Sequence, residues 1–94
     1  MHEIQTLHIV NKAPGHPRFR RCLAMLAPGD TLLLIEDAVL ATGLKALAAD
    51  VPCLALAPDL RARGLEVSTG QRIETTDYAG MVALTAKARR VISW

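Results

Sequence analysis

At 94 residues and a net charge of +2, the chain is bounded to one domain with a modest core. Its basic residues are dispersed and only 3% of its residues are aromatic, which leaves neither a basic footprint nor a stacking platform for direct nucleic-acid binding. The two cysteines, Cys22 and Cys53, stand far apart and make neither a disulfide framework nor a metal site.

Residues 1–5 form a polar lead-in, and residues 6–10 (TLHIV) predict a first strand. Residues 11–15 (NKAPG) are a turn signal. Pro17 suits the first position of a helix, where its missing N–H is harmless. Phe19, Cys22, Leu23 and Leu26 then recur at helical spacing, predicting a helix over 17–26 that Pro28-Gly29-Asp30 ends. Residues 31–35 (TLLLI) are a continuous apolar run of the kind covered on both faces in a parallel sheet.

Glu36 and Asp37 mark the end of that strand, and Asp37 is placed to cap a helix over 38–49. That helix carries one charge, Lys45. A helix apolar all round on so small a body is expected to be buried against another subunit. Residues 52–57 (PCLALA) predict a third strand, and 58–64 a short helix closed by Gly64. Residues 73–75 form a weaker fourth strand. Asp77 or Thr76 caps a helix over 78–88, and 90–94 is a final strand ending in Trp94. An exposed tryptophan there would be wasteful, so Trp94 is expected to anchor the terminus under the last helix or across a subunit boundary.

Strands alternating with helices imply an α/β fold: a single three-layer α/β/α domain with a mostly parallel sheet, flavodoxin-like or Rossmann-like. Functional residues in such sheets gather at the C-terminal ends of the strands, here Asn11 and Lys12, Glu36 and Asp37, and Pro58 and Asp59. No glycine-rich phosphate loop is present, so no nucleotide cofactor is expected. The absence of a long apolar run or an N-terminal apolar segment reads as a cytoplasmic chain without a membrane span. His8, inside the first strand, is read as a satisfied structural histidine, while His2 and His16 face solvent and no metal spacing links the three.

Cys22 is the candidate nucleophile. Arg18, one helical turn earlier, is the candidate stabiliser of its thiolate. The competing reading is that Cys22 lies on the apolar stripe with Phe19 and Leu26 and only packs. Cys53, within an apolar strand, is read as an inert core thiol.

The order of short motifs carries a family resemblance. Leu7-His8, Asn11-Lys12, Pro14, Cys22-Leu23, Gly29-Asp30, Glu36-Asp37 and Val39 come first. Leu56, Asp59-Leu60, Ala62-Arg63-Gly64, Asp77-Tyr78 and Trp94 follow. In this order they resemble the TusB/DsrH family over residues 7–94, with residues 1–6 as a short N-terminal extension of a single DsrEFH-like domain. Ala13 stands where the family often has Ser, Ala38 where it has Gly, and Leu40 where Tyr is common. The resemblance implies a cytoplasmic hetero-oligomer with TusC/TusD-like or DsrF/DsrE-like subunits. That assembly would pass persulfide sulfur to a TusE/DsrC-like carrier, for 2-thiolation of tRNA wobble uridine or for sulfur oxidation. It makes Cys22 a candidate persulfide carrier, or else leaves the chain a non-catalytic structural subunit of that complex; self-association of the isolated chain stays open on either reading. An unrelated flavodoxin-like small-molecule-binding module is the remaining alternative.

Overall fold

Leucine-rich and β-branched runs separated by proline and glycine turns become five short strands in the computed structural model, which describes residues 3–44, 47, 50–67 and 72–94. In chain order these are β1 (Ile4–Val10), β2 (Thr31–Leu34), β3 (Cys53–Leu56), β4 (Ile73–Thr76) and β5 (Ala88–Ser93). Three α-helices intervene: α1 (Pro17–Met25), α2 (Ala57–Ala62) and α3 (Tyr78–Lys87). All described strand pairs are parallel, in the order β4-β3-β2-β1-β5. The first four strands step one way across the sheet, and the chain then crosses back to lay β5 against the free side of β1. The expected α/β fold with a parallel sheet is what the chain forms.

The central strand β2 is buried at every position, because helices cover both faces. On one face Val10, Leu32, Leu34 and Ala55 meet Phe19 and Cys22 of α1 and Leu60 of α2. On the other, Leu7 and Leu33 meet Met81 and Leu84 of α3. The layers are therefore helix, sheet and helix, and the aliphatic core follows from the scarcity of aromatic residues.

Several elements differ from their predicted extents. β1 begins at Ile4 within the predicted lead-in, because Ile4 pairs with Ala88 of β5 and the Gln5 N–H donates to the Gly29 carbonyl. Gly64, at φ 65°, closes α2 as predicted, in a backbone conformation that favours glycine.

The helix predicted over 38–49 is replaced by a 3-10 segment, Glu36–Gly43. Ala38, Val39, Ala41 and Thr42 are buried, while Asp37, Leu40 and Gly43 are exposed. Burial thus repeats every three residues, the period of a 3-10 helix whose i and i+3 side chains eclipse. The buried ridges pack on this chain's own sheet, and only the remaining ridge, with Leu40, is left outward. Asp37 does not cap the segment, since its carboxylate is held by Arg63 at 2.9 Å. Lys45, Ala46, Ala48 and Ala49 of the predicted helix lie outside the described residues, as does His2.

Candidate functional site

The two cysteines sit on the same face of the sheet and belong to the same buried cluster. Cys22 is 0% exposed and Cys53 is 4% exposed. Burial, with a smaller contribution from charge on Cys53, pushes the Cys22 thiol up to about 12. Burial alone pushes Cys53 up to about 12. Arg18 is one turn before Cys22 but stands exposed, on the flank of α1 that water solvates. The two predicted site residues are thus on one helix but in different environments. In this conformation Cys22 is a neutral core thiol.

A polar network occupies the β1 side of that core. His8 Nε2 lies 3.0 Å from Asp30 Oδ2, and both residues are buried. The same Asp30 oxygen accepts the Ala27 N–H at 3.0 Å. On the other side of the imidazole, the Trp94 Nε1–H donates to His8 Nδ1 at 3.1 Å. The two rings are near-coplanar, with centroids 6.1 Å apart and planes 19° apart, the edge-to-edge arrangement that this hydrogen bond requires. An indole nitrogen can only donate, so Nδ1 is the acceptor and the imidazole proton sits on Nε2, donated to Asp30. His8 is therefore a satisfied structural histidine, and Trp94 anchors the end of β5 against β1 rather than under α3.

Lys12, just beyond β1, completes the anchor. Its Nζ donates to the Trp94 carbonyl at 2.9 Å and to Asn11 Oδ1 at 2.6 Å. At the end of β2, Glu36 holds a left-handed backbone, φ 50°, which costs a residue with a Cβ about 1–2 kcal/mol. Its N–H donates to Asp59 Oδ2 at 2.7 Å. The Asp59 and Asp37 carboxylates are thus spent on the Glu36 backbone and on Arg63. Among the described residues no three metal-ligating side chains converge.

α3 is the element whose environment the sequence did not reveal. Its sequence, YAGMVALTAK, carries one charge, yet none of its residues is buried. Tyr78 is 56% exposed and Val82 63%. Asp77 caps it as predicted, accepting the Gly80 N–H at 2.8 Å. An apolar helix with a solvated outer side is the surface first expected of residues 38–49. Asp30 was also passed over as a site residue. Its signal was a carboxylate directly before a buried strand, facing a strand histidine.

Comparison with known proteins agrees with this reading of fold and motif. A family described as DsrH like protein matches residues 12–91. Protein TusB of Photorhabdus laumondii is 34% identical over 94 residues, covering 94% of this chain and 99% of that protein. Protein TusB of Serratia proteamaculans is 36% identical over 95 residues, with the same coverages. Among solved structures, the ychN protein from E. coli superposes with a TM-score of 0.76 at 18% identity, covering 97% of this chain and 99% of that one. Protein Tm0979 from Thermotoga maritima does so with a TM-score of 0.69 at 21% identity, over 87% and 92% of the two chains. At those identities the structures attest the fold alone.

Proposed function

The chain belongs to the DsrH-like family, and we propose that it is a supporting subunit of a cytoplasmic sulfur-relay assembly whose persulfide is carried by partner subunits rather than by Cys22. The burial of Cys22 carries this reading. Sulfur transfer needs an accessible thiolate to attack the outer sulfur of a persulfide, and a fully covered thiol pushed up to about 12 supplies neither access nor charge. Arg18 would matter only in a conformation that lifts α1 and brings the thiol to its solvated flank.

What the subunit offers instead is a surface. α3 presents Tyr78 and Val82 outward, and their withdrawal from water against a related α/β subunit of the TusC/TusD or DsrF/DsrE type would supply the contact. The TusB names of the enterobacterial relatives favour an assembly that feeds tRNA wobble-uridine 2-thiolation through a TusE-like carrier.

Co-expression with the two related subunits tests the surface. Wild-type chain is expected to co-elute with them. Val82→Glu should fold alone, because Val82 makes no core contact here, yet be excluded from the complex. Equal incorporation of the variant would remove α3 from the interface.

A further inference from the structure

We propose that His8 is a proton-operated latch on the Trp94 side chain. The geometry fixes the protonation state that holds the indole. Nε2–H donates to Asp30, and Nδ1 must stay unprotonated to accept the Trp94 Nε1–H. A proton added to Nδ1 sets two N–H donors against each other at 3.1 Å. Asp30 keeps hold of the imidazolium, because a carboxylate strengthens its hydrogen bond to a charged donor. The conflict is therefore relieved by Trp94 rather than by His8. The main chain stays, since the Trp94 N–H donates to the Ile9 carbonyl at 2.8 Å and Lys12 holds the Trp94 carbonyl. Only the side chain swings out.

Among the described residues the charged surroundings of His8 are few, and Lys12, just beyond β1, is engaged with Asn11 and the Trp94 carbonyl. Asp30 approaches from the turn before β2. On β5, Arg90 pairs with Thr6 and so shares the face of His8, but it is exposed. α1 contributes Cys22, which is neutral, and the exposed Arg18, Arg20 and Arg21. The register partners of His8, Leu32 and Ile92, carry no charge. Trp94 packs against the core cluster that contains Cys22, so its departure opens that cluster from the β1–β5 side.

Trp94 is the one tryptophan of the chain, so its emission reports the latch alone. The full chain carrying His16→Asn, which removes the imidazole that caps α1, is taken from about pH 8 to about pH 5, where imidazole ordinarily changes charge. Emission wavelength and acrylamide access are read, because imidazolium can quench indole by contact and change intensity without any movement. A red shift and increased quenching are expected, in step with the His8 imidazole resonance and with an unchanged far-ultraviolet spectrum. In His8→Gln, whose side-chain oxygen accepts from the indole without titrating, the response should vanish. Constant emission while His8 titrates would overturn the latch. So would a His8 resonance that does not move before the fold is lost, or a His8→Gln chain that keeps the wild-type response. Should that variant not fold, the paired wild-type resonance and emission decide.

Discussion

At Cys22, desolvation outweighs any nearby charge: the thiol lies among Phe19, Leu32 and Leu34, and an exposed guanidinium one turn away does not reach it. Both thiols are raised in the folded state to about 12, against an ordinary value of about 8.5 in the unfolded chain. The unfolded chain then binds fewer protons than the native one above that ordinary value. The contribution of the thiols is therefore complete at neutral pH and lost as pH climbs toward about 12. Thermal melts should show stability falling through this alkaline window, and Cys22→Ala should flatten the fall. At neutral pH a thiol reagent should label Cys22 and Cys53 only as fast as the fold opens, with urea accelerating both. Prompt labelling of native protein would contradict the burial. Asp30→Ala strands the buried His8 Nε2–H and removes the acceptor of the part-buried Ala27 N–H, and should cost about 1–3 kcal/mol for the buried imidazole group left unpaired, measured by denaturant titration. The sequence made Cys22 and His8 conspicuous but left burial against reactivity open at Cys22, because an apolar stripe and a catalytic helix place a cysteine at the same spacing.

Two elements carry local conflicts that substitution should relieve. α1 begins at Pro17 with His16 as its cap, the imidazole Nδ1 accepting the Arg18 N–H at 3.0 Å. Replacing the ring with a better capping side chain, His16→Asn, should add up to about 1 kcal/mol. A calorimetric melt that shows no gain would contradict the cap. At the head of the 3-10 segment, Glu36→Gly removes the Cβ from a left-handed backbone while keeping the N–H that Asp59 holds. The relief of about 1–2 kcal/mol is offset by the roughly 0.5–1 kcal/mol entropy of glycine, so denaturant melts should register a small net gain. The parallel strands were legible because β2 and β3 read as unbroken apolar runs. The 3-10 segment was not. Its three-residue burial rhythm is invisible where nearly every side chain is apolar, and the Asp37–Arg63 pair that uses up the cap joins residues 26 apart in sequence.

For the whole molecule, the parallel α/β class followed from strands alternating with helices and the family from the ordered motifs, while the strand order and the exposed side did not. Residues 38–49 and α3 are both rich in alanine, leucine and valine, and composition cannot tell which one the chain buries in itself. The crossing from β4 to β5 sends α3 alone over the second face of the sheet, and that path leaves Tyr78 and Val82 outside. On the proposed supporting role, the chain contributes this surface while Cys22 stays within the core. The most direct measurement is the intact mass of the chain in its reconstituted complex after exposure to a persulfide donor, with Cys22→Ala alongside. We expect no sulfur added to this chain while a partner subunit in the same sample becomes loaded. One added sulfur atom on the wild-type chain, absent from the variant, would make Cys22 a carrier and contradict the supporting role.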